Sequence, residues 1–183
     1  MIKYLSDNNL LTGLIWEPEN IGHMGRNYQV WINKIRRTHG QLVYTTQDGG
    51  LLKGYSERRS SDFEPFAIHV KNEYGDGVYF FNDGKDGEDV YYLIISNDRI
   101  ISGSDKVVKK SFFDSLMLDI KESVYSGLEI KELKEQWIES IALVCHQRQS
   151  IIKRKQKLFV IGVAVVGIFL LVLMAILLNM MLS

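Results

Sequence analysis

The sequence has one cysteine, two prolines, and no acidic residue after Glu139. A lone Cys145 excludes an internal disulfide and suits a reducing compartment. Neither phosphate-binding signature is present: there is no GxxxxGK[ST] loop, and no GxGxxG turn following a strand. The four histidines, His23, His39, His69 and His146, are scattered. None has a second histidine three or four residues away, the spacing that puts two ligands on one helix face. Cys145 and His146 are neighbours, so on a helix they point about 100° apart, a poor start for a nucleophile and its base. Residues 82–89, Asn-Asp-Gly-Lys-Asp-Gly-Glu-Asp, lack the alternating ligand order and the distant glutamate of a calcium loop. They read as a solvated hairpin tip. There is no internal repeat and no low-complexity segment. The chain is therefore read as non-enzymatic, with no catalytic, cofactor-binding or metal site assigned.

What is present is a charge gradient and a long apolar run. Lys and Arg total 22, as do Asp and Glu. Five of the basic residues, Arg148, Lys153, Arg154, Lys155 and Lys157, fall within ten positions that hold no acid. Residues 1–147 are left with 17 basic against 22 acidic residues, a formal charge of −5. An acidic body lacks the basic footprint that nucleic-acid binding needs, so no nucleic-acid partner is expected.

Residues 158–178 are 21 positions without a charged or polar side chain, and 16 of them are Leu, Ile, Val or Phe. As a helix this run covers about 31 Å, close to the hydrocarbon thickness of a bilayer. Insertion at roughly −0.3 to −0.6 kcal/mol per strongly apolar residue gives an upper bound of about −5 to −10 kcal/mol. A transmembrane helix over residues 158–182 is the expectation. The basic collar precedes the span and nothing basic follows it, so the N-terminal part is expected on the cytoplasmic side. The collar is also suited to anionic membrane lipid, at about 1 kcal/mol per basic residue near the surface. The opening Met1-Ile-Lys-Tyr-Leu5 breaks at residues 6–9 without a small-residue cleavage site. It does not read as a signal peptide, and a GPI-tail reading fails with it. Gly167, Leu171 and Ala175 share one face of the span, a weak pairing feature.

Ahead of the span, the pattern predicts one α+β domain, a mixed sheet with flanking helices. Residues 2–5 and 10–16 read as strands joined by an Asp7-Asn8-Asn9 turn. A helix is expected over 24–38, with Met24, Tyr28, Trp31, Ile32 and Ile35 on one stripe and Gly40 as its stop. Strands at 41–45 and 51–55 flank Asp48-Gly49-Gly50. After a polar loop at 57–61, Phe63, Phe66, Ala67, Val70 and Tyr74 have helical spacing. Ser61 and Glu64 form a capping box there, and Pro65 falls in the first turn. Strands at 78–82, 90–96 and 100–102 form a meander. A helix over 111–126 follows, capped by Ser111 and Asp114, with Val124 on its apolar face and Gly127 as stop. Residues 128–131 allow a last short strand. From Glu132 a helical pattern, with Leu133, Trp137, Ile141 and Val144 in register, runs uninterrupted toward the span. The expected layout is a domain over 1–131, a helical stalk with the basic collar over 132–157, and the membrane helix over 158–182.

Two blocks resemble a known family. The first is Gly13-Leu-Ile-Trp16, followed by a basic helix and a strand–turn–strand. The second is Gly77-Val-Tyr-Phe-Phe-Asn-Asp-Gly84, then Val90-Tyr-Tyr-Leu-Ile-Ile-Ser96, then Asp98-Arg-Ile-Ile-Ser-Gly-Ser-Asp105. Over about residues 10–125, and in the order domain, collar, span, the chain is similar to type IVb pilus inner-membrane biogenesis proteins, the plasmid-type PilO and bundle-forming pilus BfpC family. The resemblance implies a trimmed actin-like cytoplasmic unit, present in several copies, between the pilus assembly ATPase and a polytopic inner-membrane platform protein. It implies a bacterial inner-membrane location and no enzymatic activity. Members of that family continue past the span into a periplasmic region, whereas about five residues follow it here. Two other functional classes fit the pattern without the resemblance. One is a tail-anchored enzyme using carboxylates near residues 83–89, and the other is a single-pass regulator or immunity protein.

Overall fold

Alternation at period two organises the centre of the fold. Strands β6 (Gly77–Asp83) and β7 (Asp89–Ser96) are antiparallel, with Val78 opposite Ile94 and Phe80 opposite Tyr92. Successive side chains therefore divide between two faces. Tyr79, Phe81, Tyr91, Leu93 and Ile95 enter one core, and Val78, Val90, Tyr92 and Ile94 enter another. Both faces are covered, which is why β7 reads as a nearly continuous apolar run. The computed structural model describes residues 1–18, 24–57, 63–83 and 88–182.

The first core is closed by helix α3 (Phe66–Tyr74), by the opening turns of helix α5 (Glu135–Leu182), and by the N-terminal segment. Leu5, Trp16, Phe66, Val70, Ile138 and Cys145 are all fully buried in it. Helix α4 (Lys110–Glu122) closes the second core through Phe113 and Ile120. Strand β10 (Ile130–Glu132) joins β6 in parallel, extending the sheet on the side away from β7.

A smaller sheet has the order β2 (Ile15–Trp16), β4 (Leu51–Ser56), β3 (Gly40–Thr45), all antiparallel. Helix α2 (Arg26–Thr38) packs Ile32 and Ile35 against Tyr55 of β4. Of its expected stripe, Met24 precedes the helix and Trp31 faces outward instead. His39, rather than Gly40, is the C-terminal cap, and Gly40 already belongs to β3. Gly54 of β4 lies against the Trp16 indole, where an added Cβ would sit 2.8 Å from the ring.

Several expected elements differ. Residues 2–5 form no strand but part of helix α1 (Ile2–Asp7), which buries Leu5. A four-residue segment, Ile2-Lys-Tyr-Leu5, is too short to distinguish the two periods, and the burial of Leu5 decides it. The second expected strand is split into β1 (Leu10–Leu11) and β2. Glu64 is not part of a helix cap. With Pro65 it forms β5 (Glu64–Pro65), parallel to β1, and Pro65 is the N-cap of α3. Ser61 lies outside the described residues.

Helix α4 begins one residue early and lacks the Ser111–Asp114 cap. Asp114 instead accepts a 3.3 Å hydrogen bond from the Lys110 ammonium. The helix stops at Glu122 because the Ser123 N–H folds back onto the Ile120 carbonyl, and this leaves Val124 91% exposed. The third strand of the meander is two pieces, β8 (Arg99–Ile100) and β9 (Lys106–Lys109), both paired with β7. The turn before it, Asn97-Asp98, has both residues at positive φ, and both amides donate to the Asp76 carboxylate at 2.7 and 3.0 Å.

The chain divides into two units, Met1–Cys145 and His146–Ser183. The first ends later than the domain expected over 1–131. Leu133, Ile138, Ile141, Ala142 and Cys145 are core residues rather than the start of a stalk. Trp137 also stacks on Tyr74, with centroids 4.6 Å apart. The second unit is the remainder of α5.

Candidate functional site

Helix α5 is long and apolar enough to cross a membrane, and none of its most apolar stretch is covered by protein. Outside a bilayer, a helix apolar on all sides would be buried in a core. The collar residues Arg148, Lys153, Arg154, Lys155 and Lys157 all lie on this helix with exposed side chains, immediately before the apolar run.

In the N-terminal domain the most constrained polar group is Asp105. It sits where the third meander strand breaks, at φ 61°, and its side chain is fully buried. One carboxylate oxygen accepts from the Gly13 amide at 3.1 Å and the Tyr91 hydroxyl at 2.8 Å. The other accepts from the Leu14 amide at 3.1 Å and the Trp16 indole at 2.8 Å. Burial pushes the Asp105 carboxyl up to about 6, against the pull of these four donors. Burial and the adjacent Asp105 also raise the Tyr91 phenol well above its ordinary range. With all four lone-pair directions engaged, Asp105 fastens the N-terminal segment to β7 and is not open to a ligand.

A second network fixes α2. Glu17 accepts from the Arg36 guanidinium at 2.8 Å and from the Tyr55 hydroxyl. Burial alone would raise the Glu17 carboxyl, and the bonds from Arg36 and Tyr55 outweigh it and hold it low. Arg26, Lys34, Arg36 and Arg37 make α2 wholly basic among its charged residues. On its outer side Val30 and Trp31 are exposed, giving a basic and apolar surface on a domain of net negative charge.

The fold does not leave all the histidines isolated. His39 has its ring within 4.0 Å of Glu57 and contacts the Thr38 hydroxyl at 2.8 Å. His146 is exposed on α5, and His23 lies outside the described residues. His69 of α3, however, meets Glu64 of β5, its Nε2 2.9 Å from a carboxylate oxygen. Cys145 of α5 approaches the same pair, and one ligand-capable atom from each of the three lies within 4.8 Å of the others. The separations in sequence, five and 76 positions, match no linear metal motif, so nothing short of the fold would bring them together.

The carboxylates at the β6–β7 tip are engaged in part. Asp89 pairs with Lys109 at 2.8 Å, and Asp83 accepts from the Ile2 amide at 2.9 Å. Residues 84–87 lie outside the described residues. Neither a family model nor a curated protein matches the chain.

Proposed function

We propose that the protein is a single-pass scaffold of a bacterial inner membrane that docks a cytoplasmic assembly ATPase to a polytopic platform protein during type IVb pilus assembly. The observation that carries the membrane part is the apolar stretch of α5, uncovered by protein and entered through five exposed basic residues. In this reading the basic side is cytoplasmic, so the α+β domain faces the cytoplasm and the collar rests among anionic headgroups.

Two features support the docking part. The domain spends its buried polar groups on holding itself together, as the engaged carboxylates of Asp105 and Glu17 illustrate. The α2 surface, basic and carrying Val30 and Trp31, has the mixed character that binding surfaces use. The trimmed actin-like relationship belongs to the same proposal. It is supported by the order of strands, in which β6, β7 and β8–β9 form a meander, α4 follows, and β10 returns parallel to β6.

The test is co-purification of the full chain, in detergent, with a type IVb pilus assembly ATPase from the same organism. Retention of the folded ATPase at micromolar concentration is the expected result. Absence of binding with both proteins folded would remove the docking role, while leaving the membrane reading to protease accessibility in spheroplasts.

A further inference from the structure

We propose that Glu64, His69 and Cys145 form a site for one zinc-class divalent cation, held by a carboxylate oxygen, an imidazole nitrogen and a thiolate. Three separate elements, β5, α3 and α5, deliver these side chains to one point, with their ligand atoms within 4.8 Å of one another. The Cys145 side chain is 0% exposed, that of His69 11% and that of Glu64 21%. The donors are thus sequestered from bulk water, with Glu64 on the wetter side.

The mixture of donors selects the ion. Calcium and magnesium take oxygen ligands, whereas sulfur, nitrogen and oxygen together suit a borderline-soft ion that accepts tetrahedral geometry. Bonds of about 2.0 to 2.3 Å place tetrahedral ligand atoms about 3.3 to 3.8 Å apart. In the structure Glu64 and His69 are closer, at 2.9 Å, because they share a hydrogen bond. A cation entering at that hydrogen bond separates the pair by about half an ångström and draws in the sulfur. The fourth tetrahedral position falls to a water molecule.

The backbones carrying the ligands are already fixed. The Glu64 amide donates to the Asn9 carbonyl at 3.0 Å, Phe66 and Ala67 ahead of His69 are fully buried, and Ile141 and Ala142 seat the turn of α5 before Cys145. A bound ion would cross-link that turn to α3 and β5 inside the N-terminal domain.

Cobalt(II), added to the full chain in detergent, is the probe. Expected are one cobalt per chain, a thiolate-to-cobalt charge-transfer band in the near ultraviolet, and displacement of that band by zinc. Because Cys145 is the sole cysteine, the band has one possible source. Cys145→Ser should abolish it. His69→Ala should weaken binding by more than about 100-fold, beyond the cost of losing an outer-shell partner. His146→Ala, at the exposed neighbour, should bind as the unmodified chain does. Absence of the band at one equivalent would overturn the proposal without recourse to any variant. So would a stoichiometry of one cobalt per two chains, or unchanged affinity in Cys145→Ser.

Discussion

The Trp16 indole N–H donates to the Asp105 carboxylate at 2.8 Å, joining residues 89 positions apart, both fully buried. The bond is one of four that converge on that carboxylate, so an amide in its place presents a donor to donors whichever way it turns. Asp105→Asn is therefore expected to destabilise the domain by about 2–4 kcal/mol, the cost of one or two buried unsatisfied donors. Urea titration of the full chain in detergent, followed by tryptophan fluorescence, would read this as a lower midpoint at unchanged slope.

The same carboxyl sets a pH dependence with an unusual sign. Its folded value of about 6 lies above the ordinary unfolded value of about 3.9, so the folded state binds the proton more tightly. Its contribution is fully present below about pH 4 and is lost as pH rises through about 6, on the order of 3 kcal/mol. Glu17 works in the opposite sense: its depressed carboxyl stabilises at neutral pH, and that contribution is lost in acid. The indole N–H resonance of Trp16, followed by NMR, should shift with a midpoint near pH 6 and lose that titration in Asp105→Asn.

Gly54 is required by the ring it faces. A Cβ there would meet Trp16 atoms at 2.8, 3.0 and 3.1 Å, and the indole is pinned by Asp105 and cannot withdraw freely. Gly54→Ala is expected to cost about 1–3 kcal/mol, as overpacking does in other cores. Tryptophan fluorescence should also change, because the displaced ring lengthens its hydrogen bond. An unchanged denaturation midpoint would mean that the ring moves more easily than this geometry allows.

The membrane reading is tested at Ile168, near the middle of the apolar run. Ile168→Arg adds about 3 kcal/mol to insertion at the centre of a span. A larger fraction of the chain should then become extractable at alkaline pH. Lys153→Gln, in the collar, should leave extraction unchanged.

Much of the larger sheet was legible because β6 and β7 are short apolar runs, rich in aromatic and β-branched residues and bounded by turn residues. Tyr79 and Phe81 belong to one face and Val78 to the other, as a period of two requires. Strand β9 was not legible: Lys106-Val-Val-Lys109 is short, charged at both ends, and separated from β8 by a break. That break exists to deliver Asp105, whose partners lie 14 to 92 residues away, beyond the reach of any local pattern. Helix α1 was missed because Leu5 gains its fixed place only from tertiary contacts. The grouping of Glu64, His69 and Cys145 was hidden for the same reason. The apolar run of α5, by contrast, needs no partner to be recognised.

The broken third strand has a further consequence for crowding. One margin of the larger sheet is formed by β8 and β9, two and four residues long, and the other by β10, three residues long. A run this short gives a foreign strand few backbone groups to bond to. In the membrane-anchored assembly proposed above, many chains side by side would otherwise risk zipping together edge to edge. On the larger sheet the clipped margins discourage that self-templating.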